Sequence, residues 1–156
     1  MKKNYLLLLT GLLAFMAGCG KDKNDPEPVP TNEWYVDNDT MKVTVVAVNT
    51  DPILTEIRAI AGGTLYNMLA FDFQMGGLPH SGTFKVDYVA LTPDMCNVYV
   101  TYKGDRYDVS NTRNETRVKV TMLNNGKGKY QLEPTWFYRH LTPTDSILVS
   151  AVLIEP

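Results

Sequence analysis

The side chains able to do catalytic or metal chemistry are few: two histidines, His80 and His140, and two cysteines, Cys19 and Cys96. His80 stands beside Ser81 in the loop Gly76-Gly77-Leu78-Pro79-His80-Ser81-Gly82, a pairing that suggests a nucleophile and its base. Adjacent side chains on an extended chain point to opposite sides, however, and no G-x-S-x-G elbow surrounds Ser81. His80 therefore reads as a turn residue. There is no HExxH, no CxxC and no histidine pair at ligand spacing. Asp37-Asn38-Asp39 opens like a calcium loop, but Met41 falls at the fifth position and Lys42 takes the place of the required glycine. Val48 stands where the closing glutamate belongs, so that reading fails. The sequence thus assigns no catalytic residue, no metal ligand and no cofactor, and the expectation is a protein that is not an enzyme.

What remains is aromatic. Trp136-Phe137-Tyr138-Arg139-His140 lies between Pro134 and Pro143, and proline at both ends of a run points to an edge strand or a loop crossing between sheets. In an extended conformation Trp136, Tyr138 and His140 share one face, and Phe137, Arg139 and Leu141 the other. Phe137 and Leu141 are the better core residues. That would turn Trp136 and Tyr138 outward as the candidate ligand contacts, placed to stack on a sugar ring or meet a protein. The competing expectation is that Trp136 plugs an open end of the fold, since large aromatics are usually mostly buried.

The elements that must position these residues read as strands. Met41 to Val48 is β-branched and alternates at its start, and Leu65 to Phe73 places Leu65, Leu69, Phe71 and Phe73 on one face. Phe84, Val86, Tyr88 and Ala90 alternate with charged residues, as do Val98, Val100 and Tyr102 with Tyr99 and Thr101. Val118, Val120 and Met122 oppose Arg117, Lys119 and Thr121, and Asn124-Asn125-Gly126 then signals a tight hairpin. Ile147 to Ile154 is apolar on both faces apart from Ser150, which predicts a central strand. Cys96 shares the register of Val98 and Val100 and should be a buried, inert thiol. Residues 52–61, Pro-Ile-Leu-Thr-Glu-Ile-Arg-Ala-Ile-Ala, resist assignment. Their spacing and the cap Asp51 fit a short helix, while three isoleucines before Gly62-Gly63 fit a strand more closely. The fold class expected is all-β: an antiparallel sandwich of about 7–9 strands, with a small lipocalin-like barrel as the alternative.

The N-terminus addresses a different question. Lys2 and Lys3 precede an apolar run from Tyr5 to Phe15, too short to span a membrane comfortably, with small residues at Ala17 and Gly18. Met16-Ala17-Gly18-Cys19 resembles the bacterial lipobox, in which Leu is commonest at the first position. The resemblance implies cleavage before Cys19 and acylation of Cys19 by palmitate-type chains, two or more of which anchor a protein stably. Residues 20–32, Gly-Lys-Asp-Lys-Asn-Asp-Pro-Glu-Pro-Val-Pro-Thr-Asn, lack apolar periodicity and would extend about 40 Å as a polyproline-like tether. The organisation expected is a signal peptide over 1–18, a lipidated tether over 19–33 and one β domain over 34–156. The Lys-Asp start of the tether also partly resembles the export tag of surface lipoproteins in Bacteroidota.

A wider resemblance covers roughly residues 56–156. GTLYNMLAFDF, GTFKVDYVAL, TRVKVTMLNNGKGKYQLEP and SILVSAVLIEP are similar to the strand and turn patterns of small Bacteroidota lipoproteins. That resemblance implies a β-sandwich lipoprotein of the outer membrane and no chemistry. From Cys19 onward the chain carries 13 Lys and Arg against 17 Asp and Glu, a net charge of −4, and it has no basic stripe, which argues against nucleic acid as a partner. The partners expected are membrane lipid, through the acyl anchor, and a glycan or protein ligand. Two classes remain. One is a non-enzymatic binding or adhesive module at the outer membrane or cell surface. The other is a lipid-anchored carrier of a small apolar ligand, which a void lined by Tyr66, Tyr88, Tyr99 or Tyr102 would mark. A pilus-type subunit is less favoured, because the chain is short and shows no donor strand.

Overall fold

The computed structural model describes residues 32–89, 92–109, 115–140 and 142–156. Cys19, the lipobox and nearly all of the tether lie outside them, as does Leu141. Among the described residues there is no helix, and no element is a helix long and apolar enough to cross a membrane. Ten strands follow in chain order: β1 (Glu33–Val36), β2 (Asp39–Thr50), β3 (Thr55–Ala61), β4 (Met68–Phe73), β5 (Gly82–Val86), β6 (Met95–Tyr102), β7 (Asp105–Val109), β8 (Arg117–Met122), β9 (Gly128–Arg139) and β10 (Thr142–Ile154). The all-β expectation holds, with more strands than the alternation in the sequence displays.

They form one sheet that runs round on itself. Its order is β10-β1-β2-β3-β4-β6-β5-β8-β9, and β9 pairs again with β10. All pairings are antiparallel except β5 with β6, which meet in parallel at only two residue pairs. There β7 takes over, bridging β6 and the second half of β9. The result is a mixed, ring-like sheet rather than a purely antiparallel one.

Side chains fill the ring. Phe73 of β4 meets Phe84 of β5 edge-on at 5.0 Å between centroids, and Phe71 and Phe73 meet Tyr130 of β9 at 6.1 and 6.0 Å. Trp34, Ile57, Leu69, Val98, Val100, Phe137 and Leu153 are all essentially excluded from solvent. Cys96 belongs to this core, fully buried, and burial drives its thiol pKa well up. An inert thiol is what that environment makes. Tyr130 is a buried phenol with an acid partner: its hydroxyl donates to Glu155, whose other oxygen accepts the Gly128 N–H at 2.9 Å. A Cβ at Gly128 would fall 2.5 Å from the Tyr130 hydroxyl, so that close approach requires glycine.

Local chemistry decides the ambiguous segment. Asp51 does act as a cap, but of a turn: its Oδ1 accepts the N–H groups of Ile53 and Leu54 at 2.8 and 2.6 Å. The chain then reverses, and Thr55–Ala61 pairs with β2 on one side and β4 on the other. The helical alternative for residues 52–61 is thereby corrected to turn plus strand. Gly62 and Gly63, both at positive φ, make the next reversal, and Gly126 at φ 79° closes the β8–β9 hairpin where the asparagine-glycine signal placed it.

The proline-bracketed aromatic run is neither loop nor edge. Through Arg139 it is the second half of β9, paired with β10 and, at Phe137 to Arg139, with β7, while His140 lies in the turn that follows. Pro134 is tolerated because it falls in the gap between the β8 and β7 pairings, where Glu133 and Pro134 bulge against the single residue Ser150. The bulge also inverts the strand. Before it the even residues Tyr130 and Leu132 face inward; after it the odd residues Thr135 and Phe137 do.

Candidate functional site

That inversion turns Trp136 out. Its side chain is 51 % exposed while Phe137 is fully buried, so Trp136 is not the plug of the fold. The buried indole belongs to Trp34 instead. Tyr138, half-buried, follows on the same outer face and stands opposite Asp108 of β7. The structure thus places both sequence-predicted contact residues together on the outside of β9.

Two features flank them. Immediately before Trp136, the bulge forms one wall of an open cleft of about 620 Å³ whose lining includes Thr83, Arg117, Lys119, Gln131, Glu133 and Pro134. These are the outward residues of β5, β8 and β9, and they offer hydroxyls, an amide and both signs of charge. Beyond Tyr138, the sheet carries a polar ladder across β7, β6, β4 and β3. Register makes it: Tyr138 lies opposite Asp108, Asp108 opposite Tyr99, Tyr99 opposite Ala70 and Ala70 opposite Arg58. Glu56 and Asp72 face each other one step along.

Within the ladder most groups are spoken for. Asp108 accepts from Arg106 Nε at 3.0 Å and lies 3.2 Å from His140 Nδ1. The Arg106 guanidinium covers the Tyr99 ring at 4.4 Å, and the Tyr99 hydroxyl donates to Glu56 at 2.7 Å. Glu56 also pairs with Arg58 at 2.5 Å. Burial, and then that bond to Glu56, push the Tyr99 phenol up to about 12. Asp72 differs, because its Oδ1 is buried with no hydrogen-bond partner. Desolvation, reinforced by the Glu56 charge, pushes its carboxyl up to about 6.

That shift has a sign. The folded state holds the Asp72 proton more tightly than the unfolded chain does, so the stabilisation is complete below about pH 4 and is lost as pH rises through 6. Allowing for partial solvation, the ionised carboxylate costs about 1–3 kcal/mol at pH 7.5. Asp72→Asn is expected to recover that amount at pH 7.5 and to flatten the stability profile between pH 4 and 7. Urea unfolding at the two ends of that range tests it, and an unchanged slope would show that Asp72 is not the titrating group.

The remaining candidates take structural places. His80 stacks edge-on against Phe84 at 5.7 Å, and the Ser81 hydroxyl accepts the Met122 N–H at 2.8 Å. Asp37 Oδ1 accepts the Leu148 N–H, and Asp39 accepts from the Tyr102 hydroxyl. Among the described residues no three of His, Cys, Asp and Glu are grouped to hold a metal ion. Tyr66 and Tyr88 are exposed, Tyr99 lies in the outer ladder, and Tyr102 packs at the rim of the core. The four tyrosines do not face one common interior space. Sequence reasoning missed Glu56, Asp72, Arg106 and Asp108 because each is an unremarkable polar residue until strand register assembles them. No family model, curated protein or solved structure matches this chain.

Proposed function

We propose that the protein is a non-enzymatic binding module held at the outer membrane by acyl chains on Cys19, and that the outer face of β9 is its contact surface. The half-exposed indole of Trp136 carries the reading. Phe137 already satisfies the packing of the strand, and an exposed ring flanked by hydrogen-bonding groups suits ligand contact. The adjoining cleft is lined by hydroxyl, amide and charged side chains. Polyhydroxylated ligands fit that mixture better than apolar ones, so a glycan is the favoured class. The filled core supports this reading over that of a carrier for a small apolar ligand. The lipobox resemblance and the proline-rich tether support the anchor, and the tether would lift the face clear of lipid headgroups.

A glycan array followed by titration of any hit into wild type and Trp136→Ala tests the assignment. The variant is expected to lose binding while its stability changes by less than about 0.5–1 kcal/mol, as at other exposed positions. Ligand should also shift Trp136 fluorescence, with Trp34, buried, unresponsive to soluble quenchers. Undiminished binding by Trp136→Ala, or a large loss of its stability, would end the proposal.

A further inference from the structure

Among the described residues, one stretch of the sheet has no neighbour on one side. β1 covers β2 only from Asp39 to Lys42, and the Asn32 carbonyl, accepting the Val43 N–H at 3.1 Å, marks where that cover stops. From there to Thr50, β2 pairs with β3 alone among the described residues. Natural edges are usually protected by lysine, proline or shortness. This one is Val43-Thr44-Val45-Val46-Ala47-Val48-Asn49-Thr50, uncharged, rich in β-branched residues and free of proline. Val45 and Val48 are 47 % and 38 % exposed.

The backbone phase of the edge can be read from its end. Asp51 N–H bonds to the Leu54 carbonyl at 2.9 Å, so from Val45 onward the odd residues turn their peptide groups toward β3; a register shift between Val43 and Val45 changes the phase before that. Val46, Val48 and Thr50 therefore present theirs outward. A strand added there in antiparallel fashion must satisfy that alternation, and a second copy of the same strand does so when the two-fold axis passes at Ala47. Val46 then opposes Val48 of the second copy, once on each side of the axis. Each such pair sets two β-branched side chains together, Val46 packed against the rim of the core and Val48 more exposed. The residues that bracket the run, Lys42 and Asp51, have opposite signs, so an antiparallel copy brings Asp51 toward Lys42 at both ends. The run itself holds no charge to repel.

We infer that the protein associates as a two-fold dimer through β2, continuing the sheet of one copy into the other. This surface is separate from the Trp136 face, and neither reading depends on the other. The register sets Ala47 of the two copies opposite each other as a non-hydrogen-bonded pair, with Cα atoms about 4.5 Å apart, within disulfide reach.

The test uses the full chain in mild detergent, carrying Cys19→Ala so that the buried Cys96 is the only native thiol. With mild oxidant, Ala47→Cys is expected to crosslink to itself nearly completely. The exposed control Ile53→Cys should remain at least tenfold less crosslinked. Adding Val48→Pro removes an outward N–H that β3 does not use, so it should cut the Ala47→Cys crosslink at least tenfold without lowering the melting temperature. An Ala47→Cys chain that stays monomeric overturns the inference, whether its edge is bare or covered by the residues preceding Asn32. Equal crosslinking at Ile53→Cys, or a crosslink that survives Val48→Pro in a folded chain, overturns it too.

Discussion

Tyr130→Ala is expected to cost the fold about 3–5 kcal/mol, a large share of the stability of a domain this size. The side chain is fully buried, its ring meets Phe71 and Phe73, and its hydroxyl donates to Glu155. Truncation would open a cavity where strands from opposite sides of the ring meet, and would leave the buried Glu155 carboxylate with the Gly128 N–H as its remaining bond of the pair. Tyr130→Phe separates the two contributions. It keeps the packing and removes the donor, and should cost about 1–3 kcal/mol. Urea unfolding of both variants gives the partition. A loss below 1 kcal/mol in Tyr130→Ala would mean that the ring interior is not filled as described.

Cys19→Ala is expected to abolish incorporation of an alkyne-tagged fatty acid completely while leaving the melting temperature of the β domain unchanged. A single acyl chain binds membranes marginally and a second makes anchoring stable, so the anchor and the fold are separate sources of behaviour. Intact mass of the wild-type protein should begin at an acylated Cys19, with residues 1–18 removed. Fatty-acid labelling that persists in the variant would refute the lipobox reading.

Where a local pattern had one structural meaning, it was legible. Val118, Val120 and Met122, followed by Asn124-Asn125-Gly126, produced the β8–β9 hairpin in the expected place. Cys96, Val98 and Val100 alternate into the core as their spacing requires. Patterns with two meanings were not decided locally. Asp51 followed by proline and isoleucine serves a helix start and a turn equally well, because both use the carboxylate to collect early N–H groups. Pairing with β2 and β4 made the choice.

Pro134 shows a subtler failure. Proline limits strand pairing, yet a bulge gives Pro134 a place inside β9, and the same bulge sets which aromatic faces solvent. Ile147–Ile154 is central as expected, but its burial alternates, so an apolar outer face did not mean a covered one. The polar ladder was beyond reach for a plainer reason. Glu56 and Tyr99 are 43 positions apart, and nothing in either neighbourhood records that the other is near.

The pairing of β1 with β10 fixes an order of events. Glu33 lies opposite Val152, and the Asn32 side chain exchanges hydrogen bonds with the backbone of Ile154 across 122 positions. The first described strand therefore has no partner on that side until the last strand has been synthesised. β9, flanked by β10 for most of its length, waits for the same residues. Closure thus waits for β10, with a large loop-closure cost before any reward, which makes for slow folding. A chain cut short before Thr142 would keep every hairpin from β2 to β9 and still leave Trp34 and Phe137 without the strand that covers them. Such a fragment would be sticky rather than merely smaller, and its rapid removal by proteolysis would be the cell's simplest remedy.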